Sequence, residues 1–354
     1  MSATDPAPLA SDALLVATEV VAHGVKILQA VGVPEIDARL VAESLVTSDM
    51  WGHPSHGMLR LPWYVARIRS GVMNPLTAPE TVNTFGAVTV LDGHDGIGQV
   101  ITDRAITVAG DAANTHGVGV AAVRNSNHFG TAAYWTRLLA DRGCVGVLTT
   151  NGSPAMAPWG GKDKMIGANP WSIAVPSSQG TVVLDIANTG VARGKVYAAK
   201  ERGETLPEGW AIDADGLPTT DPQAAIDGII LPMAGHKGYA ISFMMDVLSG
   251  VLTGSSYAAG VVGPYVPDQR SGCGHLVIAI AIDAIIDPQE FAGRMDDLIA
   301  TVKQSATVPG RQILVPGELE NRAVECAGGM IELPAQTMAA LADLARDADL
   351  DPLV

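Results

Sequence analysis

Apolar residues at Leu14, Val21, Val25 and Leu28 recur at the spacing of one helical face. Pro34 then stands where the first turn of a second helix accepts a proline, and Leu40, Val41, Ser44, Leu45 and Ser48 fall on one face behind it. A third helix is predicted over Leu59 to Arg69, stopped by Gly71. After "GVMNPLTAP" the period shortens. "TVNTFGAVTVLDG" predicts two strands joined by a tight turn at Gly86. Beyond it, β-rich apolar runs alternate with helical patterns: "VGVAAV", the helix around "TAAYWTRLLADRG", then "CVGVLTT", "WSIAVP", "TVVLDIA" and "HLVIAIAID". Such alternation predicts an α/β fold. "ELPAQTMAALADLARDA" returns to helix, with Pro334 near its start. The predicted plan is a helical segment over 1–76, an α/β body over 77–310, and a return over 311–354 that packs on the N-terminal helices. No internal repeat or low-complexity segment interrupts it.

Composition narrows the function classes. A hydrophobic content of 47% over 354 residues supports one large core or two moderate ones. A formal net charge of -15 repels phosphate backbones and argues against nucleic acid as a partner. No Lys or Arg precedes Lys26, and no apolar run approaches the ~18–20 residues of a membrane helix, so neither a signal peptide nor a membrane span is predicted. Cys144, Cys273 and Cys326 give no CxxC and no disulfide framework, which fits a reducing cytoplasm.

Against the acidic average, Met50 to Pro79 holds no Asp or Glu, yet carries His53, Ser55, His56, Arg60, Arg67 and Arg69. Several chemistries compete for it. "GHPSHG" resembles a hydrolase nucleophile elbow, but its first glycine is one residue too far from Ser55. Ser55 and His56 are sequence neighbours, which makes His56 a poor base for Ser55. His53 and His56 lack the further ligands of a zinc site. There remains an anion pocket: Arg60, four residues after His56 and on its face if the stretch is helical, grips a carboxylate while a histidine moves a proton. The alternative is a solvated helix start with stray basic residues. "RNSNHFGTAAYW", between a strand and a helix, offers His128 for proton transfer or cofactor contact, and backbone N–H groups at the helix start for a phosphate. "GVGVAA", from Gly117, matches a dinucleotide fingerprint, but a helix precedes it and a strand runs through it. "GVARGK" is one residue short of a P-loop. "NGSPAMAPWGGKDKMIGANP" is a long loop of the kind that carries function. In "AGHKGYAISFMMD", His236 and Lys237 open a helix and suit phosphate or ribose, while Tyr239, Phe243 and Met244 read as its buried face.

Taken in order, "SDMWGHPSHGMLRLPWY", "NSNHFGTAAYW", "APWGG", "ANP", "DIANTGVARGKVYAAKERGETLPEGWAIDADGLPTTDP", "GHKGY" and "LVPGE" resemble the malate/L-lactate dehydrogenase family of the second type across most of the chain. The resemblance implies a non-Rossmann nicotinamide-binding α/β domain, with a helical domain formed by the N- and C-terminal segments. It implies an NAD- or NADP-dependent oxidoreductase, with NAD placed first, acting on small 2-hydroxy or 2-oxo acids. Reduction of a diketo sugar acid or cyclic imino acid is the alternative within the family. A Ser55 hydrolase and a non-catalytic binding protein are the rivals outside it. Carried over, His56 with Ser55 becomes the acid/base group, Arg60 the substrate-carboxylate ligand, and Lys195 a substrate contact or a support for the histidine. The Asn127 to Gly130 motif places His128 against both cofactor and substrate, followed by Phe129, Gly130, Thr131 and Ala132 on the cofactor. Asp185, Ile186, Ala187 and Asn188 would contact the cofactor too, as would His236, Lys237, Gly238, Pro316, Gly317 and Glu318. The chain departs from the family pattern at Pro54, where many members have Asp, at Ala168, where a substrate-facing threonine is common, and in "DIANTG". No metal is implied, and a homodimer or larger homo-oligomer is.

Overall fold

The computed structural model describes residues 13–353. The chain opens with a short strand, β1 (Ala13–Val16), and helices α1 (Ala17–Ala30) and α2 (Glu35–Met50). Two 3-10 turns, Pro54–His56 and Met58–Arg60, lead into α3 (Leu61–Arg69). The hairpin of β2 (Glu80–Phe85) and β3 (Val88–Asp92) turns at Gly86, as the alternation predicts. Next come α4 (Gly98–His116), β4 (Val118–Ser126), α5 (Ala132–Ala140), β5 (Cys144–Thr150), β6 (Pro154–Met156), β7 (Ile166–Gly167), β8 (Trp171–Val175) and β9 (Val182–Ile186). A small lobe follows, with α6 (Arg193–Arg202), β10 (Ala211–Ile212), β11 (Pro218–Thr219), α7 (Pro222–Asp227) and β12 (Ile229–Ile230). Helix α8 (His236–Asp246) runs on into a π-helical turn, Val247–Val251. The chain closes with β13 (Cys273–Ala281), α9 (Pro288–Lys303), α10 (Glu318–Ala327), β14 (Met330–Leu333) and α11 (Ala335–Asp347).

Seven strands form the central sheet in the order β2-β3-β4-β13-β5-β8-β9. Only β3 and β4 run parallel, joined across α4; every other neighbouring pair is antiparallel. The class is α/β, but the sheet is mixed. One core joins the N-terminal helices to Ile331, Leu333, Leu341 and Leu344 from the chain's end, and β1 pairs with β14. A second core lies between the sheet and helices α4 and α5. The failed fingerprint has a structural reason. Gly117 caps the C-terminus of α4 with φ +79°, and a side chain at Gly119 would strike the Ala109 carbonyl 1.9 Å away. Both glycines serve helix-on-strand packing. Among the described residues no helix is long and apolar enough to cross a membrane.

Three expectations change. Leu14 belongs to β1 and is 68% exposed, because its backbone pairs with Glu332 in the small sheet. The third helix starts at Leu61, since Pro62 has no N–H and fits only a first turn. Phe243 and Met244 on α8 are 46% and 49% exposed, so this face is not core.

Candidate active site

The acid-free window folds into the bend between α2 and α3. Pro54 starts the first 3-10 turn, and Gly57 then breaks it with extended backbone, φ -92° and ψ -151°. A side chain at Gly57 would lie 2.1 Å from the Asp49 carboxyl, and that carboxyl accepts the Met58 N–H at 2.7 Å. Asp49 thus fixes the Gly57–Met58 peptide, one residue beyond His56. Burial pushes the Asp49 carboxyl up to about 7, against the lowering effect of the Met58 N–H.

His56 and Arg60 therefore do not share one helical face, because the break at Gly57 separates two turns. Arg60 folds back instead, and its Nε donates to the Ser55 carbonyl at 2.5 Å. Its guanidinium lies 3.9 Å from the centre of the Trp63 ring, a cation–π contact. No carboxylate pairs with it among the described residues, and burial lowers its pKa. Ser55 and His56 do meet, contrary to expectation: Oγ and Nδ1 are 3.0 Å apart. The tight turn brings neighbouring side chains to the same side. Burial, with the charges of Arg60 and His53, lowers the His56 pKa to about 4, so the ring is neutral at pH 7.

The end of β4 brings the second histidine to the first. The rings of His56 and His128 stack with centroids 5.7 Å apart and planes 21° apart. His128 Nδ1 receives the Gly130 N–H at 3.3 Å and sits 2.7 Å from the Tyr64 hydroxyl. A backbone N–H can only donate, so the neutral ring carries its hydrogen on Nε2. Burial, then the charges of His56 and Arg60, holds the His128 pKa well below the usual histidine range. Asn127 anchors this loop: it receives Arg67 Nη2 at 3.1 Å and donates to the Gly96 carbonyl at 2.8 Å. Phe129 points into the core, its ring 4.7 Å from buried His275.

Other predicted residues divide. Helix α5 does not keep all its N-terminal N–H groups for a phosphate. The Asp185 carboxylate takes the Ala133 N–H and the Thr131 hydroxyl, each at 2.7 Å. This cap places Asp185 beside the His128 loop, with Thr131 and Ala132 turned to it. Ile186 and Ala187 continue from it, half-buried. Asn188 is fully buried, its amide donating to the Ala168 and Asn169 carbonyls and accepting from Trp171, so its polar atoms are committed within the fold. Glu318 is spent likewise on Lys303 at 3.0 Å, on Arg322, and on the Val315 N–H at 3.0 Å. The Pro316 carbonyl accepts from Val183, and Gly317 packs on the same residue, so this loop extends the β9 edge. Lys195, in the first turn of α6, is exposed. Its neighbour Gly194 is close to the Ser55–His56 turn, since a side chain there would come within 3.9 Å of Ser55 Cβ.

The start of α8 is the feature among the described residues that a phosphate would fit. Ala234 and Gly235 both have positive φ, the helix has no side-chain cap, and no acid occupies its first turn. His236 and Lys237 are exposed there, and Gly238 lets the helix start press on the Met233 carbonyl. The Gly238 N–H is spent on the Met233 carbonyl and the Gly235 N–H on the Pro232 carbonyl, which leaves those of His236 and Lys237, beside a cation, to suit a phosphate. The exposed Trp159 ring stands 5.8 Å from the His236 ring.

Sequence reading missed Asp49, Trp63, Tyr64 and Tyr265. "LPWY" carried the only signal, two aromatics three and four residues past Arg60.

Comparison with known proteins agrees with this geometry. A malate/L-lactate dehydrogenase family model matches residues 16–342. The L-sulfolactate dehydrogenase of Methanocaldococcus jannaschii is 40% identical over 298 residues, 84% of this chain and 86% of that protein. A (2R)-3-sulfolactate dehydrogenase (NADP(+)) of Chromohalobacter salexigens is 36% identical over 310 residues, 87% of this chain and 90% of that protein. The structure of malate dehydrogenase from Pyrococcus horikoshii superposes with a TM-score of 0.89 at 30% identity, covering 96% of this chain and 97% of that one. With the motif order, the fold and the family model in agreement, the chain belongs to the malate/L-lactate dehydrogenase family and is an NAD(P)-dependent oxidoreductase.

Proposed function

We propose that this oxidoreductase interconverts a small 2-hydroxy acid and its 2-oxo acid at the cluster of His56, His128 and Arg60, with NAD or NADP as redox partner. The observation that carries it is a pair of half-buried histidines, both with lowered pKa, stacked 5.7 Å apart beside an arginine without a carboxylate partner among the described residues. Arg60 takes the substrate carboxylate, its position set by Trp63 and the Ser55 carbonyl. His56 handles the proton. With Nδ1–H donating to Ser55 Oγ, Nε2 is the basic nitrogen, which takes the hydroxyl proton in oxidation and returns it in reduction. His128, fixed as the Nε2–H form, donates a hydrogen bond to the same oxygen. Bound nicotinamide supplies the hydride chemistry that no side chain here provides. His236, Lys237 and the free N–H groups of α8 would hold its phosphates. Lys195, exposed beside Gly194, is the remaining candidate for a contact to substrate or to His56. No observation favours a diketo sugar acid or a cyclic imino acid instead, or hydrolysis at Ser55.

The test is a panel of 2-hydroxy acids with each cofactor, read by the absorbance of reduced nicotinamide. His56→Ala should cut kcat by about 10²–10⁴-fold while cofactor binding survives. No turnover with any acid and either cofactor would remove the reading; near-normal kcat in the variant would move the proton to His128.

Two broader features belong to the same reading. The three cysteines are free, which suits a cytoplasmic enzyme. Helix α8 and the turn after it present Phe243, Met244, Val251 and Leu252 to solvent, 46–62% exposed, which supports a homodimer.

A further inference from the structure

Arg60 is not alone in lacking a carboxylate. Arg193, at the start of α6, donates to the Pro154 carbonyl at 3.4 Å and hydrogen-bonds the Tyr265 hydroxyl. No acidic side chain pairs with it among the described residues. The Tyr265 hydroxyl also lies 3.5 Å from Ser153 Oγ. Burial pushes the Tyr265 phenol up, but the hydrogen bonds with Ser153 and Arg193 and the charges of Arg193 and Lys164 outweigh it, and the net shift is down. Lys164 adds a second cation, and its pKa is lowered by burial and then by Arg193; the one acid acting on it is Asp227. Positive charge is therefore in excess at this end.

The cluster is continuous with the catalytic site. The Tyr265 ring stands edge-on to Trp63, with centroids 5.9 Å apart, and the face of Trp63 carries Arg60 at 3.9 Å. Arg60, Trp63, Tyr265 and Arg193 thus make one wall with a guanidinium at each end. The start of α6 also touches the catalytic turn, through Gly194 and Ser55. On the hydroxy-acid reading, a substrate held by Arg60 has this second cation at the start of α6, on the Gly194 side of the Ser55 turn. An apolar substrate tail would leave that cation desolvated and unmatched.

We propose that Arg193, with Tyr265 and Ser153, binds a second anionic group of the substrate, so that the preferred acids carry a further carboxylate or sulfonate beyond the hydroxyl-bearing carbon. This rests on the hydroxy-acid reading above and names its substrate class. Malate and sulfolactate, the acids in the relatives' names, both have such a group; lactate has none.

The experiment compares malate with 2-hydroxybutyrate, which puts a methyl where malate has its second carboxylate. The readout is the ratio of the two kcat/KM values in wild type, Arg193→Met and Arg193→Lys, each saturated with cofactor. Wild type should favour malate. Arg193→Met should lower the ratio by about 10–100-fold, the range of a lost charge-assisted hydrogen bond. Arg193→Lys should keep most of it, since it keeps the charge. Arg193→Met and Arg193→Lys ratios equal to the wild-type ratio, with both substrates weakened alike, would make Arg193 a structural residue and overturn the inference. So would a wild type that prefers 2-hydroxybutyrate, even though hydroxy-acid oxidation itself would stand. Absence of turnover with every acid would instead strike the functional reading first.

Discussion

Arg60 tests the electrostatics of the site most directly. It is desolvated, stacked on Trp63 and free of any acid among the described residues, so a carboxylate brought to it completes a strong charge-assisted contact. Arg60→Ala should lower kcat/KM for the best acid by roughly 10–150-fold, which is the ~1.5–3 kcal/mol of a hydrogen bond to a charged group. Cofactor affinity, measured by fluorescence titration, should hardly move; equal kcat/KM in wild type and variant would reduce Arg60 to a solubilising residue. On the proposed mechanism, His56 sets the pH dependence. Its folded pKa of about 4 lies below neutrality, so the free enzyme holds the base form. Oxidation needs that form, so its kcat/KM should be flat across neutral pH and fall only on acidification toward this pKa. Reduction needs the protonated form, so its kcat/KM should lose about tenfold per pH unit as pH rises above it. The kcat profile for reduction should lie at higher pH, because bound carboxylate cancels the Arg60 charge that helps depress His56. A reduction kcat/KM that stays level across neutral pH would assign the proton elsewhere. Histidine and arginine in an acid-poor window were legible in the sequence because these types are chemically conspicuous there. What the window concealed is that acids return in space: Asp49 lies under Gly57, and Glu320 meets His53 at 3.1 Å. Tyr64 and Trp63 were illegible because an aromatic at helical spacing reads as core.

At the scale of elements, the catalytic turn depends on the absence of one carbon. Gly57 faces the Asp49 carboxyl so closely that Gly57→Ala forces that group away and breaks its bond to the Met58 N–H. The expected result is a loss of about 1–3 kcal/mol in urea-denaturation stability, the cost of a buried partner left unmatched. A fall in kcat should accompany it, since the Gly57–Met58 peptide just beyond His56 loses its anchor, while cofactor binding persists. Unchanged kcat would show that the turn holds its shape without Asp49. The same bend explains which elements were readable. Strands β4, β5, β8, β9 and β13 announce themselves by apolar runs, since each pairs with neighbours inside the sheet. The β2–β3 hairpin was marked by Gly86. β1 was not readable, because its four residues are a strand only by pairing with β14, more than 300 positions later in the sequence. Register across such separations is a tertiary property. The start of α3 was misplaced by two residues, although Pro62 was there to mark it. The role of Asp185 as the cap of α5 was likewise closed to local reading, since 54 residues separate it from Thr131.

For the whole molecule, the solvent-facing stripe on α8 and its π-helical extension sets the last expectation. Phe243, Met244, Val251 and Leu252 are spaced so that one helical side carries all four, and Tyr257, 58% exposed, follows nearby. The sequence assigned Phe243 and Met244 to the core because an apolar helical face looks the same whether its own chain or another covers it. Left in water, such a stripe is costly; paired with its copy across a two-fold axis it is buried on both sides at once. A formal charge of -15 on each chain opposes that pairing, so the apolar contribution has to exceed a repulsion that salt screens. Sedimentation at micromolar concentration should therefore show a dimer that tightens as salt rises, the opposite of an association driven by ion pairs. Leu252→Glu should shift it to monomer while circular dichroism stays native, because this side chain is 62% exposed and no core packing depends on it. A wild type that sediments as monomer at every salt concentration would refute the dimer. A Leu252→Glu variant that remains dimeric would place the interface on another face. The stripe continues the helix whose first turn carries His236 and Lys237, the proposed phosphate ligands, so the same substitution has a second reading. If pairing steadies that helix start, the monomeric variant should bind reduced nicotinamide more weakly than wild type, although Leu252 lies more than a dozen residues from His236 and Lys237.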